Sequence, residues 1–518
     1  MIAAALPIQE KHRRTGLAFW MERVLEECDR ASVDFAPDPV HDLRVAMRRC
    51  RSMADGLMAI DPDRAWKRMK KAGRNLFRCL GDLRDLQVMQ EWVHHLDSPQ
   101  DPVTSKLLQA LALRESQKKR DAAEALSQFD RKQWRHWTRT LPRRARRMRP
   151  GSVVFKHLAL ERWLAAYDLH RRALRSRSQT AWHQLRIGVK RFRYIVENFL
   201  PEQHDAWSND LKALQDWLGE VHDLDVLWAT AEELQVFPDV VSRGHWHSRI
   251  SEERARRVEK YRSETLGRRG LWQVWRVQLP DKKQTMHAAE QRLKLWASFL
   301  DPDFRHSTHV AKLALEIYDG LGAHADSADG ISADHNRDLL RLAAWMHDVG
   351  RSRGEKAHHK ASLRLIQNLS PPLGANAVTL HQTAIIARYH RGALPRAAHA
   401  CLRGLDPAEK NNIVRLAGIL RLADAFDAER DGRIHQVEVG HKNAAVVISA
   451  QGYSPRDRLA EDIAAGRHLL ELAIRRPILV KSMPVSHRSA HGIPRRLRSK
   501  RGLRIVPAGT QQLVTRSQ

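Results

Sequence analysis

Histidine and aspartate side chains able to bind a divalent cation gather toward the C-terminal end of this chain. His347 and Asp348 close the apolar stretch L-L-R-L-A-A-W-M-H-D-V-G, where Gly350 would supply a left-handed helix stop. Upstream lies H-S-T-H-V-A-K-L-A-L at His306 to Leu315. Downstream come H-H-K at His358 to Lys360, A-R-Y-H-R at Ala387 to Arg391, and R-L-A-D-A-F-D at Arg421 to Asp427. The His-Asp dipeptide alone is weak evidence, since it recurs at His41-Asp42, His204-Asp205 and His222-Asp223. At His347 it is joined by further imidazoles and carboxylates on four or five separate helical segments, a set that can hold one or two divalent ions. Such ions acidify a water and screen phosphate oxygens, which is the chemistry of phosphate-ester and anhydride hydrolysis. Arg351, Lys356, Lys360, Arg388 and Arg391 flank these segments and would share the charge of a leaving phosphate. The alternative is a structural cluster, with His and Asp residues hydrogen-bonded at a lost site.

A second chemistry is written in a duplication. H-D-L-R-V-A-M-R-R-C-R at His41 to Arg51 returns as H-Q-L-R-I-G-V-K-R-F-R at His183 to Arg193, with basic residues at the same offsets from each His. On a helix, offsets 0, +3, +7 and +10 fall within an arc of roughly 80°. Each copy is therefore an amphipathic helix with a cationic stripe. The opposite face is apolar: Leu43, Ala46, Cys50, Met53 and Leu57 in one, Leu185, Val189, Phe192, Ile195 and Phe199 in the other. A single stripe reads most simply as a solvated helix face. Repeating it concentrates like charge twice, at a cost in repulsion that an anion between the stripes would offset.

The elements that must position these groups are mostly helical. Each stripe is followed by a shared element, L-G-D-L-R-D-L-Q-V at Leu80 to Val88 and L-G-E-V-H-D-L-D-V at Leu218 to Val226, which suits two helical bundles facing one cleft. A break is expected at Leu279-Pro280-Asp281, a polar loop over Gly322 to Asn336, and a small hairpin within Ile434 to Ser449. The tail beyond Ser486, with 8 basic and no acidic residues, is expected to be disordered.

Composition agrees. The formal net charge of the 518 residues is +29, and residues 101–200 alone hold 24 Lys or Arg against 8 Asp or Glu. Much of this sits in Arg143 to Arg149 and Arg171 to Arg177. The repeated positions are His, Arg and Lys without interleaved aromatics or amides, an inventory that reads phosphate charge over bases. Nucleic acid is thus expected to bind only non-specifically. Four scattered cysteines, an N-terminal stretch without a basic leader and the lack of any long apolar run point to a cytoplasmic protein without a membrane partner.

Over about residues 10–275 the two H-x-x-R repeats and the two L-G-x-x-x-D-L-x-V elements resemble the CHAD domain family. That resemblance implies two pseudo-symmetric antiparallel helical bundles around a basic cavity that binds inorganic polyphosphate. By position it implies phosphate contacts from His41, Arg44, Arg48, Arg49 and Arg51, and from His183, Arg186, Lys190, Arg191 and Arg193, with Lys67, Lys71 and Arg74 as weaker additions. The second half departs in offering only Lys212 where the first has that cluster.

The later fragments resemble the HD superfamily of metal-dependent phosphohydrolases. W-M-H-D-V-G, I-I-A-R-Y-H-R and L-R-L-A-D-A-F-D are most similar to the C-terminal HD-type domain of the exopolyphosphatase and guanosine pentaphosphate phosphatase family, over about residues 285–480. The resemblance implies a primary ion on His306, His347, Asp348 and Asp424, with Asp348 bridging to a second on His358 and His390. His309 and His359 are adjacent alternatives. Ala361 stands where the family often has a further His, so the second site is the weaker one. Catalytic roles would fall to His347, Asp348, Lys356 and Arg391, with Mn, Mg, Fe or Co as candidate ions. Exopolyphosphatases place their anhydride chemistry in an actin-like ATPase fold that precedes this part. Here the CHAD-like region stands in its place without Gly-rich phosphate loops, so any hydrolysis must arise at His347-Asp348.

The expected fold is all-α: two bundles over 10–275, an HD-type domain with a small hairpin over 285–483, and a basic tail over 484–518. The expected function is polyphosphate binding coupled to phosphohydrolysis of polyphosphate or nucleoside polyphosphates, in the cytoplasm and at polyphosphate granules. Two alternatives are a non-catalytic polyphosphate scaffold on granules and a basic nucleic-acid-associated nucleotide hydrolase.

Overall fold

Both halves of the duplication fold into matching sets of helices. The computed structural model describes residues 16–98, 100–176, 178–322, 333–396 and 398–483. The first half comprises α1 (Leu17–Ala31), α2 (Pro37–Met58), α3 (Arg64–Ala72), α4 (Arg74–Leu96), α5 (Pro102–Ser127) and α6 (Arg131–Ala145). The second comprises α7 (Val153–Arg175), α8 (Gln179–Phe199), α9 (Pro201–Glu233), α10 (Val240–Thr265) and α11 (Leu271–Val277). α1 packs on α2 as α7 packs on α8, and α4 pairs with α5 as α9 pairs with α10. One difference separates the halves: Gly73 divides α3 from α4, whereas α9 runs unbroken for 33 residues.

Local chemistry explains the starts. Pro37, Pro102 and Pro201 sit in the first turns of their helices, where no amide is needed. Asp63, Asp101, Asp130 and Asp239 cap with their carboxylates. The apolar faces read from the sequence, Leu43 to Leu57 and Leu185 to Phe199, are buried at all ten positions in one core with Trp163, Trp207, Trp272 and Trp275.

The break at Leu279-Pro280-Asp281 separates α11 from α12 (Lys282–Leu300), which Asp281 and Gln284 open with a capping box. There follow α13 (Phe304–Leu321), α14 (Ala333–Met346), a 3-10 turn (Val349–Arg353), α15 (His358–Gln367), α16 (Ala377–Arg388), α17 (Pro407–Phe426) and α18 (Leu459–Ile474). The expected hairpin is present as β1 (Gln436–Lys442) and β2 (Ala445–Gln451), antiparallel with Val439 opposite Ile448. A third strand, β3 (Ile478–Ser482), joins β2 in parallel. Its apolar run is too short to have announced it. The chain is thus all-α with one small sheet, and no described helix is long and apolar enough to cross a membrane. The N-terminal stretch, Arg177, residues 323–332 of the polar loop and the basic tail lie outside the described residues.

Gly350 does not end a helix in the left-handed region. It lies in the 3-10 turn outside the positive-φ residues, and a Cβ there would collide with the carbonyl of His358 and stand 2.5 Å from the amide of Ser362. Its missing side chain is what lets α15 press against the His347-Asp348 turn. Ser362 Oγ completes that contact, donating to the His347 carbonyl at 2.6 Å and accepting from the Gly350 amide at 2.9 Å.

The two parts of the chain meet through polar bonds. Arg292 on α12 donates to the Ala59 carbonyl at 3.1 Å and to Glu161 on α7 at 2.8 Å. The Leu373 amide, between α15 and α16, also donates to Glu161 at 3.0 Å, and its carbonyl accepts from His157 Nε2 at 2.7 Å. Part of the Arg143 to Arg149 run is spent on such bracing and not on an outside anion. Arg144 makes a two-pronged pair with Asp61, both bonds 2.7 Å, and Arg147 donates to the Ser298 carbonyl at 2.6 Å while stacking over Phe299.

Gly350→Ala should lower stability by about 3 kcal/mol through overpacking, read from denaturant unfolding. Arg292→Ala should lower it by about 2 kcal/mol, because the Leu373 amide is then the one hydrogen bond left to Glu161 among the described residues; a midpoint unchanged from wild type would remove Arg292 as a brace.

Candidate metal centre and cationic cleft

Helices α2 and α8 lie against each other, with Asn198 Nδ2 donating to Ser52 Oγ at 3.0 Å and Gly56 leaving room for the Phe199 ring. Their cationic faces meet at a cavity of about 320 Å3 lined by His41, Arg44, Arg48, Arg186 and Lys190. α4 and α9 close it with Arg84, Asp85, Glu220 and Asp223. Among the described residues, Arg48 and Lys190 form no ion pair, and Arg186 Nε is buried with no hydrogen-bond partner. Arg44 stands 3.7 Å from Asp85.

These charges perturb one another. Lys190 is pushed down to about 7 by burial and then by Arg186 and Arg48. Asp223 is pushed up to about 6 by burial, against the pull of Arg186. Asp85 is raised by the same cause. Asp85 and Asp223 hold the same place in the two L-G-x-x-x-D-L elements, so each half lends one carboxylate to the cavity. The duplication of that element was the signal for them, and a search for cations passed over it.

Other sequence candidates lie elsewhere. His183 meets His222, Nδ1 to Nδ1 at 3.3 Å. Arg49, at offset +8 and off the stripe, pairs with Glu197 and sits over the Trp20 ring; Arg193 lies 3.7 Å from Glu197. Arg51 donates to the Lys70 carbonyl at 2.6 Å. Arg191 lines a different cavity with Lys70, Arg162 and Tyr194. Lys67, Lys71 and Arg74 are exposed and do not line the cleft.

The second cluster is built from helix ends. His306 stands in the first turn of α13 and His358 opens α15. His347 follows α14, His390 follows α16, and Asp424 lies in the last turn of α17. His347, His358 and His390 each point Nδ1 at the carbonyl three residues back: Ala344 at 2.7 Å, Glu355 at 3.0 Å and Ala387 at 2.6 Å. A carbonyl only accepts, so each Nδ1 carries the proton and each Nε2 keeps its lone pair when the ring is neutral. Terminating helices leave the Ala344 and Ala387 carbonyls free, the turn ahead of α15 supplies that of Glu355, and all three fix the tautomer. Asp427, at the end of α17, does the same for His306, accepting from Nδ1 at 2.7 Å.

The freed atoms converge. His306 Nε2 is 3.0 Å and His347 Nε2 3.6 Å from Asp424 Oδ1. His358 Nε2 is 3.1 Å, and His347 and His390 Nε2 are 3.8 Å, from Asp348 Oδ1. Two sets, His306 with His347 and Asp424, and His347 with Asp348 and His390, each keep their ligand atoms within 4.8 Å. Burial would lower His347, but Asp348 and Asp424 outweigh it and raise it to about 9. His390 falls to about 3 through burial and the charge of His347. Burial would raise Asp424, yet its imidazole neighbours hold it well below the carboxylate range.

A divalent ion fits these donors. His347 Nε2 is fully buried with no hydrogen-bond partner, and the lone pairs of His358 and His390 face each other at 3.1 Å, both of which a cation would relieve. Of the alternatives, His309 bonds the Ile434 carbonyl at 2.7 Å, away from the cluster, and His359 lies beside Gly392. Lys356 and Arg391 are exposed, two residues before His358 and one after His390. Sequence reasoning did not single out Arg430, whose Nη2 lies 2.6 Å from Asp348 Oδ2.

Comparisons with known proteins divide at the same place in the chain. Residues 21–232 match the CHAD domain family, and residues 293–461 match the family described as Ppx/GppA phosphatase, domain III. The crystal structure of the CHAD domain from the plant Ricinus communis is 22% identical with a TM-score of 0.37, covering 51% of this chain and 92% of that one. No curated protein matches the chain. The chain thus joins a CHAD domain to a C-terminal Ppx/GppA phosphatase domain III.

Proposed function

We propose that the protein binds inorganic polyphosphate in the cleft between α2 and α8 and hydrolyses polyphosphate or nucleoside polyphosphates at the His347-Asp348 centre. The observation that carries the first half is a pair of cations, Arg48 and Lys190, that form no ion pair among the described residues, beside the buried Arg186 Nε, which has no hydrogen-bond partner there either. Both repeats contribute to it, so a linear anion lying along the seam would meet positive charge from each side. Asp85 and Asp223 temper that charge while the cleft is empty.

Support for the second half comes from the donors. His306, His347, His358 and His390 with Asp348 and Asp424 would hold a divalent metal, in keeping with the metal dependence that the Ppx/GppA match implies. When bound, the metal would lower the pKa of a water and polarise a phosphoryl oxygen. Against burial, His347 and His358 hold the Asp348 carboxylate ionised, and Arg430 with Arg351, 3.3 Å away, orients it. Lys356 and Arg391, exposed and close in sequence to the ligand histidines, would draw charge from a departing phosphate.

Two variants separate the activities. Arg44→Glu with Arg186→Glu should weaken polyphosphate binding by at least tenfold and flatten its salt dependence, since fewer counterion-displacing contacts remain; unchanged affinity would sink the cleft. Asp348→Ala should abolish metal uptake and phosphate release while polymer binding persists, measured by elemental analysis and a phosphate assay.

The pH behaviour follows from Lys190. Its folded value of about 7 lies below the ordinary 10.5, so the folded protein carries fewer protons than the unfolded chain between these values, and stability from this group is gained as pH rises through that window. A polyanion draws the proton back. Binding at about pH 8 should therefore take up a proton, seen as a calorimetric enthalpy that varies with the buffer, and Lys190→Met should remove that dependence.

A further inference from the structure

Asp348 divides its two oxygens between different neighbours. Oδ1 faces the Nε2 atoms of His347, His358 and His390, and Oδ2 receives Arg430 Nη2 at 2.6 Å and Arg351 Nη1 at 3.3 Å. Arg430 is held there by more than one bond. Its Nη1 donates to Asp303 at 3.0 Å, just ahead of the helix that carries His306, and its amide donates to the Asp427 carbonyl at 2.9 Å. Its backbone sits in the left-handed region, φ 59°, which costs a non-glycine residue energy and persists only where surroundings impose it.

The donors also share a member. His347 belongs to both ligand sets, yet an imidazole nitrogen has one lone pair and serves one ion. Two ions would then lean on Asp348 as the bridge, through both its oxygens, and Oδ2 is already engaged.

Building on the metal reading above, we propose that the centre takes a single divalent ion and that Arg430 holds the Asp348 oxygen that a bridge to a second would need. The arginine supplies fixed positive charge at Oδ2, and it keeps Oδ1 turned toward the imidazoles.

The test is the number of Mn2+ ions retained per full-length chain after loading and removal of excess, by elemental analysis, with electron paramagnetic resonance to distinguish isolated from exchange-coupled ions. Wild type and Arg430→Lys should retain one isolated ion. Arg430→Gln should retain two, a twofold rise, with coupling between them, and its polyphosphate affinity, set in the distant cleft, should stay at the wild-type value as a check on folding. Two coupled ions in wild type, or one in Arg430→Gln, would overturn the assignment of Arg430 while leaving a metal centre intact. No retained ion in any form would overturn the metal reading itself. The wild-type count decides the proposal even where Arg430→Gln fails to fold.

Discussion

Like charges repel, and the protein holds them together by pressing apolar faces from both repeats into a single core. Leu43 to Leu57 of α2 and Leu185 to Phe199 of α8 are buried, so the cations on their other faces have no freedom to separate. Fully burying a Val, Leu, Ile, Phe or Met side chain contributes about 1.5–3 kcal/mol. The eight of these among the ten outweigh the repulsion among Arg44, Arg48, Arg186 and Lys190, which water and the carboxylates of Asp85 and Asp223 further soften. The depressed Lys190 is the visible residue of that compromise.

A different economy governs the second cluster. Helix ends leave carbonyls without intrahelical partners, and His347 and His390 take up two of them, so the same bonds finish the helices and orient the ligand atoms, while His358 is oriented by the Glu355 carbonyl ahead of α15. Close approach of α15 depends on the missing Cβ at Gly350. The strain at Arg430 belongs to this arrangement too, since its guanidinium ties Asp348 to Asp303 across the site.

Much of this was legible in the residues. Helical periodicity gave both stripes and their buried faces, and the spacing of His and Asp fragments gave six residues that the fold brings within reach of one another. Periodicity failed where a side chain's destination depends on a neighbouring element. Arg49 shares the stripe's sequence but turns to Glu197 and Trp20, and Arg51 is captured by the end of α3. Acidic residues at a basic site went unnoticed because charge was read as a sum and not as pairs. Arg430 lacked any motif, because its position is set by a turn after α17 and by a backbone conformation that composition does not encode. The Arg143 to Arg149 run misled in the opposite sense, since bracing and ligand binding draw on the same guanidinium chemistry.

The loop at Leu373 connects α15, which opens on His358, to α16, which leads to His390, and it is fastened by both its amide and its carbonyl to α7. α7 in turn packs along α8, the bearer of Arg186 and Lys190. Two helices and one loop therefore form a continuous path of contacts from phosphate cleft to imidazole pair. Thermodynamic linkage makes any coupling along such a path reciprocal, so the persistence of polymer binding without the metal implies metal uptake that is equally indifferent to the polymer.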